Sequence, residues 1–323
     1  MTATLRSVYH PRMDKPTVSA PASAPRTSLI RYAWISIVAS LLTIALKASA
    51  YLLTNSVGFL SDAVESVVNL VAGVMALAML TIAARPADAG HAYGHSKAEY
   101  FSSTTEGLLI LAAAAGIIAT AAQRLADPPP LERLGIGLAI SISASLVNLV
   151  AARILLKAGR RDNSITLEAD GQHLMTDVWT SVGVIAGIGL VAVTGWQRLD
   201  PIIAILVGLN IIRAAYQILR RSVAGLMDAS LPGAELKIIE DVMARYGPKG
   251  VSFHALRTRQ SAARQFVSVH MLVPGAWTVH DAHHVAEDFE GDLRRELPDA
   301  VILTHLEPVD DVISMRDVHE QFD

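Results

Sequence analysis

The sequence predicts a membrane protein with an all-α bundle of six transmembrane helices, followed by a small cytoplasmic α+β domain. Composition and its distribution along the chain lead to this fold class. Only 18% of the residues are charged, against about 25% in a typical soluble domain, and the mean hydropathy is +0.39. The deficit of charge lies between Leu29 and Val223, whereas the chain from Met227 onward has the composition of a soluble domain.

The membrane domain is therefore placed at 29–223 and the cytoplasmic domain at 224–315. The preceding segment, 1–28, is rich in Pro, Ser, Ala and Thr, which is typical of a disordered tail, and 316–323 form a short second tail. A membrane-spanning helix needs roughly 20 mostly apolar residues. Six segments meet this requirement: 30–53, 57–84, 100–125, 133–157, 165–194 and 199–222.

Basic residues are concentrated on one side of the predicted bundle. That side carries Arg26, Arg31, Arg85, Lys97, Lys157, Arg160, Arg161, Arg220 and Arg221. The opposite side carries only Arg124, Arg133 and Arg198, with Lys47 near the end of the first span. Because loops rich in Lys and Arg stay in the cytoplasm, both termini are predicted to be cytoplasmic. An even number of spans agrees with this orientation.

The cytoplasmic domain is predicted to have the order α-β-β-α-β. Pro232 precedes the first helix and Pro298 ends the second, while alternating apolar residues indicate the strands. The predicted elements are Glu235–Tyr246, Val251–Arg257, Phe266–Val273, Asp281–Leu297 and Val301–Glu307. Such a series forms a small two-layer α+β domain.

Charge and cysteine content exclude several classes of function. The formal net charge of -3 gives no electrostatic support for nucleic-acid binding. The absence of cysteine excludes disulfides, zinc ribbons and thiolate catalysis. Any metal site must therefore use His, Asp, Glu, Asn or backbone oxygen.

Two pairs of polar residues lie within predicted spans, where ionisable groups are costly and usually functional. Glu65 and Asn69 in the second span are four residues apart, and so are His173 and Asp177 in the fifth. Residues at this spacing share one helix face, so two facing pairs supply the four ligands of a tetrahedral cation. For each residue alone, a hydrogen bond between helices is the alternative explanation.

Two further sets of candidate metal ligands lie outside the spans. Asp88, His91 and His95 fall within eight residues of the second loop, although for this pattern alone a solvated polar loop is the favoured explanation. Seven of the eleven histidines lie in the C-terminal part, and His305 alternates with Glu307 onto one strand face. The other candidates there are His254 and His270 on adjacent strands, and His280, His283, His284 and Glu287 along one helix stripe. Several histidines beside a carboxylate indicate a divalent-metal cluster. Elsewhere in the spans, Glu106, Asn148 and Lys47 are predicted to form interhelical hydrogen bonds or to lie near a membrane face, and a position on the ion path is the alternative for each.

The combined pattern resembles the cation diffusion facilitator family from about Ile30 to about Val309. It comprises six spans, a His-x-x-x-Asp in the fifth, a Tyr-Gly-His-Ser-Lys-Ala-Glu after the second, and a histidine-bearing tail. The most specific local motifs are Asp88–Glu99 and His254-Ala-Leu-Arg-Thr-Arg259. The resemblance implies a ferredoxin-like, metallochaperone-like tail and a multi-pass protein of a bacterial inner (plasma) membrane.

The resemblance also implies a function. Family members are homodimeric exporters that exchange a divalent metal ion, commonly zinc, for protons, so the expected partners are metal cations, protons, membrane lipid and a second copy. The expected activity is that of a secondary antiporter, with no catalytic cofactor. The residues implied are Glu65, Asn69, His173 and Asp177 for transport; Asp88, His91 and His95 in the loop; His254, His270, His283, His305 and Glu307 in the tail; and Lys97 with Asp228 as a charge interlock at the dimer interface.

Departures from the family pattern bear on the metal. The second span usually carries Asp-x-x-x-Asp or His-x-x-x-Asp, but here it carries Glu65 and the neutral Asn69, with Asp62 one turn earlier. The tail carboxylate is often Asp and here is Glu307. Zn²⁺ is the first expectation, and oxygen-preferring Mn²⁺ or Fe²⁺, or Co²⁺, Ni²⁺ or Cd²⁺, is the alternative.

Two other classes of function compete with transport. An intramembrane metal enzyme needs a metal-bound water and a general base, but the sequence contains no His-Glu-x-x-His motif. A metal sensor or storage protein without transport needs only the tail, so candidate ligands inside the spans argue against it.

Overall fold

The computed structural model describes residues 27–54, 57–126 and 135–315. It contains six helices that are long and apolar enough to cross a membrane, which confirms the predicted spans. They are α1 (Thr27–Thr54), α2 (Val57–Ala83), α3 (Ala98–Ala126), α4 (Gly135–Arg161), α5 (Ile165–Thr194) and α6 (Leu199–Leu226). Of the two predicted tails, residues 1–26 and 316–323 lie outside the described ranges.

Small residues allow the six helices to pack closely. Gly107 of α3 faces Leu219 of α6, where an added Cβ would lie 2.9 Å from the leucine side chain. Gly171 of α5 faces Leu156 of α4 at the same 2.9 Å. Without a hydrophobic driving force inside a bilayer, such close backbone approach supplies van der Waals contact between helices.

The C-terminal domain has the predicted order α-β-β-α-β. Its elements are α7 (Gly233–Ala244), β1 (Ser252–Ser261), β2 (Arg264–Val273), α8 (Val279–Glu296) and β3 (Ala300–Pro308). The sheet order is β1-β2-β3, with β1 antiparallel and β3 parallel to β2. Ile239 and Phe289 from the helices and Val269 and Met271 from β2 are fully buried in one core between sheet and helices. This arrangement confirms the predicted two-layer α+β domain.

A bulge in β1 aligns three histidines across the sheet. The register with β2 shifts between His254 and Arg257, and Ala255 has a positive φ of 50°. Such an extra residue bends a strand and turns the side chains beyond it. At this position His254 lies opposite His270, and His270 lies opposite His305.

The tail domain docks on the ends of α3 and α6 through side chains that face each other across the junction. The backbone N–H of Ala262 donates to the Tyr100 hydroxyl at 2.8 Å, and the Ser96 and Ser261 hydroxyls are 2.8 Å apart. The Tyr100 ring also lies against Gly225, where an added Cβ would approach the ring within 2.1 Å. A side chain at position 225 would therefore push Tyr100 out of the junction.

Candidate metal sites

The membrane site is built on facing helices, α2 and α5. The side chains of Asn69, His173 and Asp177 are all buried. Nε2 of His173 lies 2.6 Å from Oδ1 of Asn69, and Nδ2 of Asn69 donates to Oδ2 of Asp177 at 2.7 Å. The structure thus brings together three of the four predicted transport residues. Glu65 lies on α2, one turn before Asn69, but its side chain is outside the described ones.

Asn148 of α4 joins this site, although the sequence alone did not select it. Its Nδ2 donates to Oδ2 of Asp177 at 2.8 Å, and the residue is 1% exposed. Among the described groups, its Oδ1 and Nδ1 of His173 have no hydrogen-bond partner. The sequence signal for Asn148 was an amide in the middle of an apolar span. It was not selected because it has no polar partner four residues away on its own helix; its partner lies on another helix.

These donors suit a divalent cation. Imidazole nitrogen, carboxylate oxygen and two amide oxygens are all ligands of transition metals. The hydrogen bonds that now link Asn69, His173 and Asp177 occupy the atoms that would bind the ion. Cation binding therefore requires these bonds to be exchanged for metal–ligand bonds.

A cavity of about 850 Å³ leads from this site to one end of the bundle. Asn69, His173 and Asp177 line its inner end. Arg124 at the end of α3 and Asp200 at the start of α6 line it at the end far from the tail domain. The site is therefore accessible from the face opposite the tail.

Side-chain contacts close the bundle on the tail side. The hydroxyls of Ser103 on α3 and Ser222 on α6 are 2.7 Å apart. The Ser164 hydroxyl, at the start of α5, donates to Glu99 of α3 at 2.6 Å. All four side chains are fully buried, so α3 is held against both α5 and α6 on this side.

The loop residues also lie together. Oδ1 of Asp88 is 3.3 Å from Nδ1 of His91, and Oδ2 is 3.4 Å from Nε2 of His95. The backbone N–H groups of His91 and Gly90 donate to Oδ1 of Asp88, and the bond from His91 is the main cause that lowers the pKa of this carboxyl. The three side chains offer ligand atoms within 4.8 Å of one another, a geometry that one divalent ion can bridge.

The tail cluster centres on Glu307 of β3. Its Oε2 lies 2.7 Å from Nε2 of His254, and its Oε1 lies 3.0 Å from Nδ1 of His270 and 3.5 Å from Nε2 of His305. Glu307 is 7% exposed, whereas the His305 side chain is 66% exposed. One carboxylate therefore faces three imidazoles, and one of them opens to solvent. Such an arrangement can hold a divalent ion and leave a position for another ligand.

His283 does not join this cluster within one chain. It lies on α8 with His280 and His284, and the ring centroids of His280 and His284 are 4.3 Å apart. His283 itself is exposed, with its ring 6.1 Å from that of His284. The predicted helical stripe of histidines therefore exists, but it is separate from the histidines of the sheet.

The predicted charge pair joins the loop to the tail domain. Nζ of Lys97 lies 3.0 Å from Oδ1 of Asp228, and Nη1 of Arg259 lies 3.2 Å from the same oxygen. Partial burial alone raises the pKa of Asp228, but hydrogen bonds from the two cations outweigh it and lower the pKa below its usual value. Arg259 also stacks on the rings of Tyr93 and Phe266.

Removing this charge is expected to loosen the junction by less than about 1 kcal/mol, because the pair is partly exposed. Asp228→Asn is the suitable change, since Asn tolerates the positive φ of 54° at this position. Because the folded-state pKa of Asp228 is lowered, the stabilisation by its ion pair is present above the unfolded pKa of about 3.9. It is lost as the pH falls through the folded-state pKa. Hydrogen exchange near Ser96 and Ala262 should therefore be faster in the variant than in wild type at neutral pH. In strong acid the two proteins should exchange at nearly the same rate.

The matched control is Glu296→Gln, which removes an exposed ion pair with Arg245 that involves neither Lys97 nor Asp228. Equal protection of the junction in wild type and Asp228→Asn at neutral pH would show that the charge pair contributes nothing.

Comparison with known families agrees with this architecture. Residues 33–227 match the family profile described as "Cation efflux transmembrane domain", and residues 231–309 match "Cation efflux protein, cytoplasmic domain". The Uncharacterized transporter sll1263 of Synechocystis sp. is 49% identical over 280 residues, covering 87% of this chain and 90% of that protein. The Cation-efflux pump FieF of Escherichia coli is 30% identical over 272 residues, covering 84% and 89%.

Two solved structures resemble the tail. One, titled "Mode of Action of a Putative Zinc Transporter CzrB (Zn form)", is 28% identical with a TM-score of 0.24, covering 25% of this chain and 93% of that one. The other, the "Metal-bound C-terminal domain of CzcD transporter from Thermotoga maritima", is 24% identical with a TM-score of 0.23, covering 25% and 99%. On the two family profiles and the full-length relatives, this chain belongs to the cation diffusion facilitator family of divalent-cation efflux transporters and is a multi-pass membrane protein.

Proposed function

We propose that this transporter exports Zn²⁺ from the cytoplasm in exchange for protons. The observation that carries the proposal is the buried group of His173, Asp177 and Asn69, which lies at the inner end of a cavity that opens at one face of the bundle. A cation held there is separated from the tail side by packed helices. A rearrangement that opens the tail side and closes the cavity would carry the ion across the membrane.

The donor set decides the choice of metal. One imidazole and one carboxylate four residues apart on α5 favour Zn²⁺, which binds both readily. The amide oxygens of Asn69 and Asn148 are harder ligands, and they support Mn²⁺ or Fe²⁺ as the alternative substrate. Among the side chains described, Asp177 supplies the only charge at the site, so Glu65 is proposed to supply a second.

Proton exchange follows from competition for the same atoms. Metal ligands must be deprotonated, so a proton on His173 or Asp177 displaces the cation. In this structure Nε2 of His173 and Oδ2 of Asp177 are both engaged in hydrogen bonds that a bound cation would replace. Protons arriving through the cavity would thus release the ion on that side.

The orientation and assembly complete the proposal. With both termini in the cytoplasm, as the basic loops predict, the cavity faces the outside of the inner membrane.

Val301 and Leu303 are exposed apolar residues on β3, the strand that also carries the exposed His305. We propose that this face contacts a second copy, and that His283 of α8 completes the metal cluster of that copy rather than its own.

Flux measurements in proteoliposomes test this function. We expect Zn²⁺ uptake to rise with an opposing proton gradient and to be accompanied by proton movement in the other direction. Mn²⁺, Fe²⁺, Co²⁺, Ni²⁺ and Cd²⁺ are measured in parallel under the same gradient. Faster flux of Mn²⁺ or Fe²⁺ would reassign the substrate, and flux indifferent to the gradient would refute the exchange. Metal binding without any flux would favour the sensor or storage alternative.

A further inference from the structure

Two carboxyl groups lie inside the bundle but outside the cation site. Glu106 is on α3 and Asp170 on α5, and they are 0% and 1% exposed. Ala169, next to Asp170, and Ile110, one turn after Glu106, belong to one buried cluster, so the two carboxyls lie near each other where α3 packs on α5. Neither lines the cavity that reaches Asp177. They lie instead on its tail side, because Glu106 is about two turns from the tail-side end of α3 and Asp170 precedes His173 by about one turn.

Each carboxyl has one hydrogen-bonded oxygen and one that is left over. The Ser102 hydroxyl donates to Oε1 of Glu106 at 2.9 Å, and the Ser36 hydroxyl of α1 donates to Oδ1 of Asp170 at 2.9 Å. Oε2 of Glu106 and Oδ2 of Asp170 are buried with no hydrogen-bond partner in the described part of the chain. An ionised carboxylate does not tolerate such an environment, because a bare charge away from water is costly.

Among the described residues, no positive charge acts on the pair. The groups that act on Glu106 are Asp170 and the Ser102 hydroxyl, and the one that acts on Asp170 is Ser36. The other titratable residues on the same helices lie nearer the tail side (Glu99, Tyr100 and Glu168) or on the cavity side (His173, Asp177 and Arg124). Glu99 is hydrogen-bonded to Ser164, Glu168 is paired with Arg221, and Arg124 lies at the far end of α3. The buried polar residues of α2 with described side chains are Ser66 and Asn69, while Ser222 of α6 and Ser36 of α1 are hydrogen-bonded to Ser103 and Asp170.

We propose that Glu106 and Asp170 form an internal proton-binding site, separate from the cation site, that holds at least one proton while the tail side of the bundle is closed. Two like charges buried away from bulk solvent cannot both persist, so a proton is added to one carboxylate oxygen to give a carboxylic acid. The oxygens without partners, Oε2 and Oδ2, are the atoms available to hold it.

The location suggests what this proton does. α3 is held against α5 and α6 by the buried contacts of Ser103 and Glu99, which close the tail side. When these helices separate, water reaches the pair and stabilises the ionised form, so the proton leaves toward the tail side. This role rests on the proposed proton exchange, and it places part of that exchange outside the cation ligands.

The test uses the full-length protein in lipid with both carboxyls neutralised, as Glu106→Gln together with Asp170→Asn. These amides keep the shape of the side chains and can still accept from Ser102 and Ser36. The matched control is Thr104→Ala, which removes a part-buried hydroxyl from the same region of α3, where it donates to the Tyr100 carbonyl of its own helix, and leaves both carboxyls. Infrared spectra near neutral pH report protonated carboxylic acids by their C=O stretching band, and paired pH and metal indicators give protons moved per cation.

We expect a band of protonated carboxylic acid in wild type and in Thr104→Ala that the double variant lacks. We also expect the variant to keep cation exchange while the proton-to-cation ratio falls by about one. If the double variant does not accumulate in the membrane, Glu106→Gln alone should still reduce the band.

An unchanged band and an unchanged ratio would overturn the proton site even if wild type couples metal to protons. Conversely, wild-type cation flux without proton movement would refute the proposed exchange, while the infrared band would still decide whether the pair holds a proton.

Discussion

Asp177→Asn is expected to reduce cation flux by more than about 100-fold. This loss is larger than the one caused by changing a group that only orients a metal ligand. Asp177 is the carboxylate on which the membrane site converges, since Nδ2 of Asn69 and Nδ2 of Asn148 both donate to its Oδ2. An amide at this position can still accept those bonds through its oxygen. It cannot offset the charge of a divalent ion in a site shielded from water, so binding is lost while the helix contacts remain.

Flux of Zn²⁺ into proteoliposomes under a proton gradient measures this effect. The matched control is Ser181→Ala, because Ser181 lines the same cavity on the same helix and is hydrogen-bonded to Ser145 of α4. The control should retain near-normal flux. His173→Ala should reproduce the defect of Asp177→Asn, since it removes the nitrogen ligand. Normal flux in both α5 variants would exclude this group as the transport site.

Glu307→Gln is expected to weaken metal binding to the tail by at least about 10-fold. The two oxygens of Glu307 approach different imidazoles, those of His254 and His270. Glutamine replaces one of these oxygens with an NH₂ group, which cannot ligate a metal, and removes the charge. The loss should therefore exceed that for removing His305, whose side chain is largely exposed.

Binding isotherms on the full-length protein measure this change, in a background of Asp88→Asn and Asp177→Asn that weakens the other two sites. The control is Glu287→Gln, an exposed carboxylate on the α8 stripe beside His283 and His284. Equal affinity for Glu307→Gln and its background would rule out the sheet cluster. A larger loss for Glu287→Gln would move the tail site to α8. Flux of Glu307→Gln alone, with Asp88 and Asp177 intact, shows whether tail occupancy regulates transport.

Much of the fold could be predicted because its signals are local. Predominantly apolar runs of bilayer length define all six helices, and alternation with proline boundaries defines the tail domain. The i,i+4 spacing of His173 and Asp177 likewise places both side chains on one helix face, and both line the cavity. These features depend only on the period of a helix or strand, which the order of residues fixes.

Features that join distant segments could not be read in this way. Asn148 and Glu106 each stood alone in a span, so neither had a local partner to indicate its role. The structure pairs Asn148 with Asp177 and brings Glu106 near Asp170. It also leaves His283 on the α8 stripe, outside the group of His254, His270 and Glu307 in which the family resemblance had placed it. These relations depend on which helix faces pack together, and the order of residues along one helix does not determine that.

The sequence by itself determined a six-helix membrane domain, a two-layer α+β tail, and the residue types available as metal ligands. Only the tertiary structure decided how those residues meet. The sheet order and the bulge at Ala255 place His254, His270 and His305 in one row beside Glu307. Helix packing brings Asn69 onto His173 and leaves the cavity open on the face away from the tail. The physical reason is that ligand chemistry belongs to single side chains, whereas a metal site requires distances between elements that only packing sets.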